Sequence, residues 1–304
     1  MDADVPQRAG LGGLTAQAMM ATTPDLTSIV VVLADSGPFT RECVEHALAS
    51  DVAVEVILVD NGSADGVPES LDRAYAEDDR VRVVYNRANL GFGPAVNRGA
   101  AIARGGRLLV LNPDCLVEPD TIARMSAHMD IHTGIVGAVV CDSEGRPDPA
   151  SRRRDPLLGR ALRTKLGIGG DGGVDIEGPM PEGEEEVEIV SGAIILMPRN
   201  VFDRLGGFDE TFFLHCEDMD LCRRARDAGY RVVLAGDVRV LHGKGGSSRH
   251  RPIFVSRHKH RSMYLWFRRH DPAARNPLLR VGVWLGIRAH FLLKIPGQLL
   301  RKRR

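Results

Sequence analysis

Residues 27–33 read Thr-Ser-Ile-Val-Val-Val-Leu. The run is rich in β-branched residues and carries no charge, so it is predicted to be a strand buried on both faces. Working outward, a helical stretch covers about residues 38–50 and a second buried strand spans Val52–Val59, closing on Asp60. A third strand, Val81–Tyr85, precedes Asn89; a helix over 91–104 and a strand over Arg107–Leu111 follow. Strand–helix–strand alternation predicts an α/β fold with a mostly parallel sheet flanked by helices. Ligands of such sheets sit beyond the carboxyl ends of the strands. Asp60 and Asn112-Pro113-Asp114 fall at those ends.

The second half is less regular. Ile135–Val140 and Val190–Met197 read as strands, and a helix runs over Glu217–Ala228. Arg231–Leu234 and Val238–Leu241 read as two short strands. Gly167–Glu186, rich in Gly, Pro and acid, reads as a mobile loop, and as a passive insertion more than a lid. The chain divides into a disordered segment 1–24, a main domain 25–251 and a helical, basic appendage 252–304.

The 304 residues suffice for one large domain. Lys plus Arg and Asp plus Glu both number 40, so no overall basic field draws in nucleic acid. Bases crowd after 249 and acids around 182–188. The five cysteines, Cys43, Cys115, Cys141, Cys216 and Cys222, form no C-x-x-C pair and read as reduced thiols. Residues 1–24 hold no apolar run of signal-peptide length, which gives the expectation of a cytoplasmic protein. The most apolar stretch, Val281–Leu300, is interrupted by Arg288, His290 and Lys294. With its bases it suits a helix on the inner face of an anionic membrane, and equally a helix packed on the main domain.

Five segments carry candidate chemistry. Asp60-Asn61-Gly62-Ser63 with Asp65 places a carboxylate and a tight turn at a strand end, suited to a nucleoside or to a plain loop. Asn89-Leu-Gly91-Phe-Gly93 with Asn97 opens a helix through glycines, suited to a phosphate or sugar or to simple capping. Asp114, just past a buried strand, suits Mg²⁺ or Mn²⁺ between diphosphate oxygens, and also suits a helix cap. Glu217, Asp218 and Asp220 crowd a helix start, where acids are favoured anyway. Phe212-Phe213-Leu214 leads into them, so one carboxylate is expected to be desolvated, with a raised pKa, and to act as a base. His242, at a strand end before Gly245 and Ser247, suits a metal or phosphate.

The ordered series D-N-G-S-x-D, N-x-G-x-G-x-x-x-N-x-G, N-P-D, S-G-A, G-G-F-D-E, E-D-x-D-L and H-x-x-G-x-S resembles the inverting family-2 glycosyltransferases of GT-A fold, with rhamnosyltransferase-like members the nearest in likeness. The resemblance covers residues 27–265. It implies a GT-A type, Rossmann-like sheet and transfer of a sugar from a nucleoside-diphosphate donor to a hydroxyl of a lipid-linked or polymeric cell-envelope glycan. Rhamnose from dTDP-rhamnose is the sugar it suggests. It implies Asp218 as general base supported by Glu217, and Asp114 with His242 as ligands of Mg²⁺ or Mn²⁺. Asn112 stands where the usual D-x-D motif has its first acid. Asp60, Asn61, Asn89, Gly91, Asn97 and Asn112 would line the donor site. The family's first strand usually ends in a Thr-Tyr-Asn type sequence; here Ala34-Asp35-Ser36 follows, and Asp35 stands as the substitute contact.

Other classes fit less well. A dehydrogenase needs a glycine fingerprint after its first strand, which Leu33-Ala34-Asp35-Ser36-Gly37 does not supply. A sugar-nucleotide pyrophosphorylase needs a Gly- and Arg-rich signature there. A non-catalytic sugar-nucleotide sensor would need no base, and the intact Glu217-Asp218 pair counts against it.

Overall fold

The computed structural model describes residues 22–168, 172–243 and 252–301. The first half holds β1 (Thr23–Leu33), α1 (Phe39–Leu48), β2 (Val54–Asp60), α2 (Val67–Ala74) and β3 (Val81–Tyr85). Next come α3 (Phe92–Ile102), β4 (Gly105–Leu111), β5 (Cys115–Leu116), α4 (Thr121–Ala127) and β6 (Thr133–Cys141). The middle holds β7 (Arg152–Arg153), α5 (Leu158–Lys165), β8 (Glu184–Glu186), β9 (Ile189–Val190), β10 (Ile194–Pro198) and α6 (Arg199–Arg204). The chain continues through α7 (Glu217–Asp227), β11 (Arg231–His242), α8 (Pro252–His270) and α9 (Pro277–Arg301).

The main sheet runs β3-β2-β1-β4-β10-β6-β11-β5, with β8 also paired to β11. β3, β2, β1 and β4 are mutually parallel. β10 enters antiparallel between β4 and β6, so β6 and its parallel neighbour β11 point the same way as the first four. The α/β architecture with a mostly parallel sheet is therefore as the sequence indicated. In β1, Val30 and Val32 face one hydrophobic core, while Ile29, Val31 and Leu33 face the other. The two-residue period splits the uncharged run between two helical layers, which is why it shows no polar alternation. Helices α3, α6 and α7 cover one face; α1, α2 and α4 cover the other.

Several boundaries differ from the sequence reading. Thr23 and Pro24 belong to β1 and not to a disordered segment; residues 1–21 lie outside the described residues. Val190–Met197 is not one strand. It breaks at Ser191–Ala193 into β9, which pairs with β7 in a separate two-stranded sheet, and β10. Residues 231–242 form one strand, with a register shift between Ala235 and Arg239. The acidic end of the expected loop is the strand β8. Its alternation sends Glu184 and Glu186 to Arg231 and Glu185 to Arg152, so cross-strand ion pairs replace the apolar contacts that strand patterns rely on. Helix α8 packs its Trp266 into the core beneath the sheet, and its His270 meets Asp220 of α7 at 2.7 Å.

One charged group lies inside the sheet. Glu55 of β2 accepts from the Ser28 hydroxyl (2.6 Å), the Arg104 amide (2.6 Å) and the guanidinium groups of Arg82 (2.6 Å) and Arg104 (2.8 Å). Burial raises its pKa, but these hydrogen bonds and the Arg82 charge outweigh it and hold the carboxyl below its ordinary 4.5. Glu55→Ala is expected to cost about 3 kcal/mol in urea unfolding near neutral pH, because it removes the acceptor of four buried or partly buried donors. A lowered folded-state pKa gives stability that is present above about pH 4.5 and lost as the pH falls through the folded value. The stability gap between wild type and variant should therefore narrow on acidification; a constant gap would refute the assignment.

Candidate active site

The carboxyl ends of β1, β2 and β4 and the antiparallel start of β10 share one edge of the sheet. At this edge the Asn112 amide donates to the Ala193 carbonyl (2.9 Å), and the buried Cys115 thiol lies 3.6 Å from the same oxygen. β5 then pairs with the end of β11, setting His242 opposite Cys115. The Gly243 amide donates to the Asp114 carbonyl at 2.7 Å, which locks the two segments together. As a result His242 Nε2 lies 3.0 Å from Asp114 Oδ1 and 3.4 Å from the side-chain Nδ2 of Asn112.

Asp114 and His242 fit a divalent cation. Cis ligands of an octahedral ion with bonds of about 2.1 Å stand about 3.0 Å apart, the spacing found between these two donors. Asp114, Cys115 and His242 offer ligand atoms within 4.8 Å of one another. Burial, followed by the Cys43 and Asp114 charges, pushes the Cys115 thiol well above its ordinary value, so the carboxylate and imidazole are the better donors. This set suits Mn²⁺ or Mg²⁺ completed by phosphate oxygens and water. Gly245 and Ser247 of the same segment lie outside the described residues.

The second centre stands at the start of α7. Asp218 Oδ2 accepts from the Gly192 amide at 3.2 Å, its Oδ1 accepts from the Met219 amide at 2.9 Å, and Arg153 approaches to 3.9 Å. A Cβ on Gly192 would sit 3.0 Å from Asp218 Cβ and 3.1 Å from Oδ2, so only glycine admits the carboxylate this closely. Glu217 is buried, and its Oε2 has no hydrogen-bond partner. Burial and then the neighbouring Asp218 charge raise its pKa. The desolvated carboxyl expected at this helix start is thus Glu217, while Asp218 keeps 17% of its side chain exposed. Asp220 is spoken for, paired to Arg224 and His270 at 2.7 Å each.

The remaining residues form a third group. Asn61 is buried and fully engaged: its oxygen accepts from Leu90 N (3.0 Å) and Asn86 (3.2 Å), and its nitrogen donates to Asn89 (3.1 Å) and the Gly91 carbonyl (3.0 Å). Gly91 has φ +99°, and a Cβ there would sit 2.5 Å from the Phe213 carbonyl, which accepts from the Phe92 amide instead. Asp60 Oδ1 accepts from Ser63 N (2.8 Å) and Asp35 Oδ1 from Ala64 N (2.7 Å), which joins the ends of β1 and β2. Asn97 stands apart from these. Its amide clasps both backbone groups of Phe208 at 2.9 Å and reaches Glu210 at 3.1 Å.

Two cations escaped the sequence reading. Arg153 and Lys259 stand near His215, whose imidazole burial and these charges lower to about 4. The triple arginine at 152–154 was the available signal for Arg153; Lys259 had none, because α8 reaches the site through tertiary packing alone. Mn²⁺ is expected to raise the melting temperature of the wild type, and Asp114→Ala or His242→Ala to remove the increase. An undiminished increase in both variants would exclude this metal site.

The profile described as "Glycosyl transferase family 2" matches residues 28–204. The N-acetylglucosaminyl-diphospho-decaprenol L-rhamnosyltransferase of Mycobacterium tuberculosis (strain ATCC 25618 / H37Rv) is 31% identical over 304 residues, covering 92% of this chain and 96% of that protein. Among solved structures, the mannosyltransferase PcManGT from Pyrobaculum calidifontis in complex with GDP-Man and Mn²⁺ superposes with a TM-score of 0.57 at 19% identity, over 94% of this chain and 77% of that one. TarS 1–349 from S. aureus in complex with UDP gives 0.54 at 16% identity, over 88% and 71%. These two share the fold. The matched profile spans more than half of the chain and the mycobacterial relative nearly all of it, so this protein belongs to glycosyltransferase family 2 and is a transferase.

Proposed function

We propose that the chain is a metal-dependent, inverting glycosyltransferase that moves a sugar from a nucleoside-diphosphate donor to a hydroxyl of a lipid-linked glycan precursor. The observation that carries this reading is the pairing, at one sheet edge, of a partly exposed carboxylate beside a buried one with an Asp–His metal pair. Residues 25–251 would form the catalytic domain and 252–304 an appendage to it. The mycobacterial relative is named for L-rhamnose transfer to N-acetylglucosaminyl-diphospho-decaprenol. It supports rhamnose from dTDP-rhamnose as the first donor to try, and a polyprenyl-diphosphate sugar as the first acceptor. Such an acceptor would be met at the inner face of a membrane.

Asp218 is the base in this reading. The Gly192 and Met219 amides fix its orientation, and Arg153 lies close enough to steady the carboxylate. It takes the acceptor hydroxyl proton as the oxygen attacks the anomeric carbon, while the bond to the diphosphate breaks on the opposite face. A neutral Glu217 behind it avoids a second adjacent charge. A cation on Asp114 and His242 would neutralise charge on the departing diphosphate. Asp60, Asn61, Asn89, Gly91 and Asn112 would shape the donor site, with Asp35 beside the nucleoside. The amide of Asn97 would act at one remove, by holding the 207–210 segment.

Nucleoside-diphosphate release from a panel of sugar nucleotides, with and without Mn²⁺, tests the reading. Asp218→Asn is expected to lower turnover by about 10²–10⁴-fold and to leave donor affinity in calorimetry nearly unchanged. Normal turnover would exclude Asp218 as the base. Gly192→Ala should push the carboxylate aside by a few tenths of an ångström and lower turnover about tenfold, with the melting temperature little changed. Turnover equal to wild type would show that this close approach does not matter.

A further inference from the structure

Helix α9 carries two separate apolar stripes. Val283, Ile287, Phe291 and Ile295 form a half-buried stripe, and the stripe packs towards α8, where Phe291 stacks near His260. Leu278, Val281, Leu285 and Leu292 follow at intervals of three, four and seven residues, which groups them on a second stripe, about 130° round the helix from the first. They are 80%, 57%, 54% and 61% exposed. A helix apolar all round is normally covered all round. Next to it, α5 buries none of its residues, and it exits through exposed Leu162, Leu166 and Ile168. The two segments are neighbours. Leu158 donates its amide to Asp271, just ahead of α9. Burial lowers the His290 pKa, and the charges of Lys294, His260 and Lys165 of α5 add to the effect.

The charge carried by the three helices at this surface has one sign. α5, α8 and α9 contain no Asp or Glu. Arg163, Lys165, Arg280, Arg288 and Lys294 border the apolar residues, and Arg288 lies 5.1 Å over the half-exposed ring of Trp284. A second copy of the chain would bring base against base across such a face. An anionic lipid surface answers both features, taking the apolar side chains below its headgroups and the bases at its phosphates. Among the described residues no helix is long and apolar enough to cross a membrane, so the contact is one of lying on it.

We infer that the outer stripe of α9 and the exit of α5 form one docking face for an anionic bilayer. This deepens the membrane-facing part of the proposed function and rests on it, but it needs neither donor nor acceptor to be tested. The full chain is mixed with vesicles of phosphatidylcholine, with or without phosphatidylglycerol, and floated on a density gradient. Wild type should float with the anionic vesicles, about tenfold less with the neutral ones, and less as salt is added. The pair Leu285→Glu and Leu292→Glu, and separately Leu166→Glu and Ile168→Glu, should each weaken flotation about tenfold at unchanged melting temperature. Arg288→Glu with Lys294→Glu, both at exposed positions, should abolish the preference for anionic vesicles and serves if the leucine variants unfold. Wild type left in the soluble fraction, or leucine variants that float like wild type, would overturn the inference. So would a dimer in light scattering that the leucine variants break, since that would assign the face to a second copy. Sugar transfer is read separately: flotation without transfer would count against the proposed function and leave this face standing.

Discussion

The backbone hydrogen bonds of the Ser191–Ala193 turn tie together the two acidic centres of the site. On one side the Ala193 carbonyl holds the Asn112 amide and so fixes the segment that carries Asp114. On the other the Gly192 amide holds Asp218. The turn exists because β10 enters the sheet antiparallel, between two strands that run the opposite way. Its start therefore falls beside the end of β4, and two centres 104 residues apart in sequence, Asp114 and Asp218, share one edge. A strand in the parallel sense would have placed that turn at the far edge of the sheet.

Around this joint, polar groups divide into those that build and those that remain available. Asn61 gives every hydrogen-bonding capacity of its amide to the 86–91 segment. Asn97 gives both of its donors and one acceptor lone pair to the 208–210 segment. Both are asparagines because the amide donates and accepts at once and can replace the missing partners of two loop backbones. The acids follow a similar division. Asp220 is neutralised by Arg224 and His270, Glu217 is buried beside a charge, and Asp218 keeps contact with solvent. Adjacent carboxyls in unlike environments are the arrangement by which a protein separates a neutral acid from a competent base.

Much of the frame was legible in order along the chain. Runs such as Ile29–Leu33 and Leu108–Leu111 are uncharged because both faces of the sheet are covered, and that signal survives in the sequence. Less legible were elements stabilised by partners far away. Glu184–Glu186 reads as an acidic loop, yet Arg231 and Arg152 make it a strand. The break at Ser191–Ala193 has only the Ser-Gly dipeptide as a local signal; β9 and β10 diverge because they join different sheets.

The sequence by itself determined the layered α/β frame, the ordered motifs at strand ends and the residue types able to hold a metal or a proton. These depend on periodicity and on short-range chemistry, which neighbouring residues record. Tertiary structure alone decided that His242 meets Asp114 at 3.0 Å, that burial falls on Glu217 and not on Asp218, and that Arg153 and Lys259 stand near His215. It also decided that α9 keeps an apolar side turned away from the protein. Burial and charge proximity are set by segments distant in sequence, and the energy of a charged or apolar group follows from those surroundings more than from its neighbours along the chain.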